Sequence, residues 1–371
     1  MTLQSEAPEI PQNPEIPLVS LLVPVYNVEA YLGQCLESAK RQTLTNIEII
    51  CINDGSTDSS LDIVKSYASD DDRFKIIDKP NSGYGASMNR GLAAARGEFI
   101  GILESDDFID STALEALYRA AKENSVEVAK SNFFFYWSKP QERDEFVPLI
   151  TQDMLGVYNP TERTEIYYLK PTIWSALYQR EFLQTKGIAF SETPGASYQD
   201  AGFNFKVWAS AERVVFLQDA YLHYRQDNEA SSVNSPGKVY CVCDEYAEMQ
   251  RFLDEGPERA RRLQGVLVRM KYSSYMWNYE RLDERFKMEF LIRARDELSL
   301  DLETGRLDLS LFDYWVEAEL MALLKSPETF SQNRPLYAKP GKLNSIRYYY
   351  SLGGLPLVLK LVKDRLQKGG K

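Results

Sequence analysis

Histidine is almost missing. His223 is the only one in 371 residues, which excludes any multi-histidine metal cage. Cysteine is scarce as well: Cys35, Cys51, Cys241 and Cys243 show no zinc-finger spacing, and Cys241 and Cys243 stand too close together to bridge easily. Reduced packing residues are expected. No apolar run approaches the roughly 20 residues that cross a bilayer, and the opening MTLQSEAPEIPQNPEIP lacks a basic start followed by an apolar stretch. A cytoplasmic protein is therefore expected. Positive charge is also in deficit, and a net charge of −11 excludes a general nucleic-acid binder, which grips phosphates with clustered Lys and Arg. The deficit is uneven, because residues 339–371 hold eight basic side chains against the single acid Asp364, so this tail carries +7 and the remainder −18.

What is present suits a soluble globular chain, with 44% hydrophobic and 26% charged residues, enough for one large core and a smaller second one. VSLLVPV, IEIICIND, FKIID and EFIGIL read as buried strands. Between them Val28, Tyr31, Leu32, Cys35, Leu36 and Ala39 recur at helical spacing, GSTDSSLDIVKSYA opens with capping residues, and MNRGLAAARG closes on Gly97. The β-α-β-α-β-α-β order predicts a doubly wound, mostly parallel sheet flanked by helices. In such sheets ligands bind beyond the carboxyl ends of the strands. Those ends carry Tyr26 and Asn27, then Asp54, then the acidic run Glu104, Ser105, Asp106, Asp107 and Asp110, with the Gly-rich NSGYGAS between. A solvated turn explains one acidic strand end, but not two on one rim.

These segments, VSLLVPVYNVEAYLGQCLES, IEIICINDGSTDSS and NSGYGASMNRGLAAARGEFIGILESDD, resemble the successive signatures of the family-2 inverting glycosyltransferases, which have the GT-A fold. Weaker echoes follow in KPTIWSALYQREFL, SYQDAGFNFKVW and AYLHYRQDNEASSV. The resemblance implies transfer of a sugar from a nucleotide-sugar, a UDP-sugar above all, to a hydroxyl of a glycan or lipid-linked acceptor. It implies that Tyr26, Asn27, Asp54, Asn89, Glu104 and Ser105 hold the donor, with Tyr26 packing on the base and Asp54 accepting the uracil N–H. It also implies that Asp106, supported by Asp107, ligates Mn2+ or Mg2+, and that Asp200 is the general base. Hard cations take oxygen ligands, so a strand-end carboxylate beside a diphosphate is chemically suited to this.

Several assignments have two readings. Asp200 caps a helix or serves as base, and the two are compatible; a helix N-terminus is expected to hold it ionised. His223 is a third metal ligand or a packing residue, while Arg225, on the same strand face, is the better diphosphate partner because guanidinium binds phosphate bidentately. Trp174 is an acceptor wall or core. Glu104, Met88 and Gln199 depart from the commoner family pattern, which keeps a non-catalytic nucleotide-sugar-binding scaffold open as the alternative. A Rossmann dehydrogenase is excluded, since PVYNVEAYL has no glycine before Gly33.

The expected domains are a leader over 1–17, a GT-A catalytic domain over 18–236 and a helical C-terminal domain over 237–371, whose long amphipathic stretches also leave self-association open. Its tail, RYYYSLGGLPLVLKLVKDRLQKGGK, mixes leucines, aromatics and lysines. It suits either a peripheral contact with the inner face of the cell membrane or a solvated basic surface.

Overall fold

The computed structural model describes residues 16–193, 195, 197–228, 239–338 and 341–368, so most of the expected leader lies outside the described residues. The chain divides into two compact units, residues 1–235 and 236–371.

The first unit alternates β1 (Val19–Val25), α1 (Glu29–Lys40), β2 (Ile47–Asp54), α2 (Ser60–Asp70), β3 (Phe74–Lys79), α3 (Tyr84–Ala94) and β4 (Phe99–Ile102). The short β5 (Phe108–Ile109) and α4 (Ala113–Asn124) follow, then β6 (Val128–Trp137), β7 (Arg143–Val147), β8 (Gly156–Tyr158), β9 (Ala176–Gln179), α5 (Arg180–Thr185), α6 (Gln199–Trp208) and β10 (Val214–Arg225). The sheet runs β3-β2-β1-β4-β9-β6-β10-β5. Its first four strands are parallel, as the alternating pattern predicts. β9 then joins β4 to β6 antiparallel to both, and β10 lies parallel to β6.

Burial explains these elements. Every residue of β1 and β2 is buried, as strands covered on both faces require. α1 presents Leu32, Cys35, Leu36 and Ala39 to the core, one face at helical spacing. Because β2 and β4 flank β1 on opposite sides, the crossovers diverge there and leave a crevice beyond the strands' carboxyl ends.

Among its described residues the second unit has helices and no strand: α7 (Cys241–Asp254), α8 (Pro257–Arg281), α9 (Glu284–Glu303), α10 (Tyr314–Lys325), α11 (Pro327–Ala338) and α12 (Lys342–Lys368). A buried polar knot ties four of them. The Arg334 guanidinium donates to Glu280 at 2.6 Å and to the Tyr348 hydroxyl at 2.8 Å, and Tyr348 donates to Glu319 at 3.0 Å. No described helix is long and apolar enough to cross a membrane.

Candidate active site

The crevice rim begins at the end of β1. Tyr26 is 53% exposed there and free to meet a planar ligand. Asn27 adopts φ 48°, and its amide oxygen accepts the Thr57 N–H at 2.8 Å, so it ties this turn to the one after β2. Asp54 is buried and already accepts from Ser82 N–H at 2.8 Å, from Gly83 N–H at 3.0 Å and from the Lys79 ammonium. A carboxylate offers about four acceptor positions, so about one is left for a ligand donor.

By gripping Gly83, Asp54 also sets the loop that leads to Tyr84. The Tyr84 hydroxyl donates to Glu104 at 2.7 Å, which ties the Gly-rich loop to the acidic run. Gly83 has φ 92°, open to glycine and costly for other residues. At Gly85 a Cβ would come within 1.9 Å of the Ser191 carbonyl oxygen, so glycine lets α3 lie against the segment that leads to α6. Asn89 reinforces that contact. Its amide donates to Phe190 O at 3.0 Å and accepts from Phe190 N–H at 2.9 Å. The structure therefore gives Asn89 the part of a staple rather than a donor contact, since both ends of its amide are committed.

The acidic run divides its labour. Asp107 is buried, with one oxygen accepting the Arg225 N–H at 2.8 Å and the other, Oδ2, without a hydrogen-bond partner among the described residues. Burial and the neighbouring Asp106 hold its carboxyl well above the usual carboxylate range. Asp106 is half-buried and accepts from the Asn228 amide at 2.8 Å, while Ser105 sits half-buried at the turn. Glu104 is pushed up to about 7, chiefly by desolvation, with Asp106 and Asp200 adding repulsion.

Asp200 faces these acids from α6. The helix starts at Gln199 after Tyr198, whose φ of 59° is left-handed, so Asp200 lies inside the first turn and is not the cap. It accepts the Ala201 N–H at 2.8 Å. Desolvation outweighs that bond and the attraction of Lys170, and pushes its carboxyl up to about 6. Burial thus outweighs the helix terminus that was expected to hold this carboxyl ionised.

Arg225 and His223 lie on the other face of β10. The Arg225 guanidinium is buried, donates to Asp106 O at 2.8 Å and Gln34 Oε1 at 2.5 Å, and lies 4.7 Å and 4.8 Å from the Tyr31 and Tyr136 rings. It braces the acidic turn from behind and has no free fork for a diphosphate. His223 stacks between Phe108 and Phe134, with centroids at 4.4 Å and 5.1 Å, and its ring nitrogens meet Asp144 at 2.7 Å and Asp110 at 3.3 Å. Its place is that of a packing residue, and Asp110 is drawn to it.

Strand alternation instead turns the intervening Tyr224 toward the site, where Asp107, Asp106, Glu104 and Asp200 all act on its hydroxyl. Half-buried Trp174 stacks on Tyr224 at 5.1 Å and meets Phe133 edge-on at 4.8 Å, so it is part core and part wall. Lys170 holds its ammonium 4.4 Å from the Tyr224 ring centroid, within the influence of Asp200 and Asp107. Tyr84, Tyr224 and Lys170 were not singled out from the sequence. Alternation along YLHYR was the available signal for Tyr224, whereas nothing local marks Lys170.

Two departures from the family pattern have packing reasons. Met88 is fully buried. Gln199 is also buried, and its amide donates to Thr193 Oγ1 at 2.8 Å, which an ionised Glu could not do.

The family model described as Glycosyl transferase family 2 matches residues 20–182. The uncharacterized glycosyltransferase EpsJ of Bacillus subtilis (strain 168) is 32% identical over 240 residues, a match covering 63% of this chain and 68% of that protein. The chain belongs to glycosyl transferase family 2. Another relative, the putative glycosyltransferase EpsH of the same organism, is 35% identical over 220 residues, covering 57% of this chain and 61% of EpsH. Among solved structures, S. aureus TarS 1-349 in complex with UDP-GlcNAc superposes with a TM-score of 0.68 at 20% identity, over 85% of this chain and 91% of that one. This glycosyltransferase thus has a GT-A-type catalytic fold with a helical C-terminal region.

Proposed function

We propose that the enzyme is a metal-dependent inverting glycosyltransferase that moves a sugar from a UDP-sugar to a hydroxyl of a glycan or lipid-linked acceptor. The observation that carries this reading is the meeting of Asp200 with the acids after β4 at the switch point of the sheet, a crowd of like charges that a bound cation and a proton-donating acceptor would relieve. The base would lie over Tyr26, with Asp54 offering its remaining acceptor position to a uracil N–H. The UDP-GlcNAc held by the TarS neighbour supports the donor class.

The acidic turn fits a divalent cation, because the buried Asp107 Oδ2 has no hydrogen-bond partner among the described residues and the donor set is hard oxygen. Mg2+ or Mn2+ would be bound here by one or two carboxylates together with substrate phosphates. Asp106 would hold the ion with Asp107 in support. When bound, the cation would neutralise charge on the departing diphosphate.

The protein's own part is proton transfer and positioning. Asp200 takes the proton of the acceptor hydroxyl as its oxygen attacks the anomeric carbon in line. Lys170, beside Asp200, favours the ionised base. Trp174 and Tyr224 give the acceptor sugar an aromatic wall.

A panel of nucleotide-sugars scored by thermal shift, with and without Mn2+, tests the donor. A single UDP-sugar is expected to stand out, since ligand at 100 times its Kd stabilises by about 2.7 kcal/mol. Equal, metal-independent shifts across the panel would contradict the reading.

A further inference from the structure

Helix α12 has two faces of opposite character. Inward, Tyr348 is fully buried in the polar knot, Leu357 is buried, and Asp364 accepts from the Tyr314 hydroxyl at 2.7 Å. Outward, large apolar side chains stand in water. Leu343, Ile346 and Tyr350 follow at helical spacing before a break at Gly354, where φ is 66° and ψ −160°. Leu355, Leu359, Val362 and Leu366 continue after it, and Leu366 is 74% exposed. At about 100° per residue these last four fall within roughly 60° of arc, diametrically opposite Asp364.

An exposed stripe of this length on a soluble chain calls for a partner. Charge selects which. Lys342, Arg347 and Lys363 are exposed along the same helix, in the tail that carries +7, while Lys360 holds its ammonium 3.9 Å from the Tyr314 ring centroid. A second copy laid stripe against stripe would bring these like charges together, whereas an anionic lipid surface offers both the complementary charge and the apolar layer that the leucines require. Lysine stems can lie along the apolar layer while their ammonium groups reach the headgroups. The rest of the chain carries −18 and is repelled by such a surface, so attraction must be local to α12.

We infer that α12 is a membrane-surface helix, docking its outer apolar stripe on anionic phospholipid. This is independent of the donor and base assignments in the catalytic unit.

Flotation of the full chain with vesicles of equal parts phosphatidylcholine and phosphatidylglycerol tests it, with pure phosphatidylcholine alongside. Binding is expected on the anionic vesicles, with weakening as salt rises and little binding on the neutral ones. Lys363→Glu should weaken it by at least about fivefold, the effect of one basic residue near such a surface. Leu359→Glu with Leu366→Glu, both at exposed positions that the fold does not use, should weaken it by at least about 10²-fold, with melting temperature unchanged. Absence of the full chain from the anionic vesicles, or parental binding by the folded double variant, would overturn the inference. So would a dimer in solution that the double variant dissolves, which would make the stripe an interface between copies.

Discussion

Asp200→Asn is expected to slow sugar transfer by at least about 10²-fold while leaving donor and metal binding at parental levels, because an amide accepts a hydrogen bond but cannot take the acceptor's proton. The variant keeps the Ala201 N–H bond that the carboxyl makes at 2.8 Å. The pH profile adds an independent check. With the base pushed up to about 6 by burial, parental transfer should fall about tenfold per unit below that value. Stability moves the other way. The folded value lies above that of an unfolded Asp, about 3.9, so the group's contribution is fully present below that pH and is lost as pH rises through about 6. The Asn variant escapes that loss and should melt at or above the parental temperature at pH 8. Near-parental transfer by the folded variant would place the base elsewhere, first among the acids after β4.

Asp106→Ala is expected to abolish the Mn2+ dependence of UDP binding, a larger loss than the roughly 10- to 100-fold that follows removal of a ligand's supporting partner. Folding should survive, since the Asn228 amide loses one acceptor but Asp107 and Glu104 lose a repelling neighbour. Titration calorimetry of UDP with and without Mn2+ reads this without any turnover. A variant that still binds UDP more tightly in Mn2+ than in chelator would remove Asp106 from the ion.

Local pattern carried much of the architecture. The strands and helices as far as β4 were legible because buried strands read as β-branched runs and α1 shows its face every third or fourth residue. The rim of acids followed, because every parallel strand delivers its carboxyl end to the same edge. Long-range pairing hid the rest. Nothing within ESDDFID says that β5 pairs with β10, and this pairing puts Arg225 behind the acidic turn and His223 among aromatics. Asn89 looked like a ligand contact because its partner, Phe190, lies 101 residues away. Asp200 looked like a cap because the left-handed Tyr198, which starts the helix two residues earlier than the motif suggests, has no signature of its own.

The most direct measurement follows both products of turnover. The enzyme would be given the UDP-sugar selected by the panel, with an acceptor glycan, in Mn2+ and then in chelator, and the glycoside examined by NMR for its anomeric configuration. The expected result is UDP release that stops in chelator and a product of configuration opposite to the donor's. A product that retains the donor's configuration, or undiminished release without the metal, would contradict the assignment of Asp200 and Asp106 to a single metal-dependent displacement.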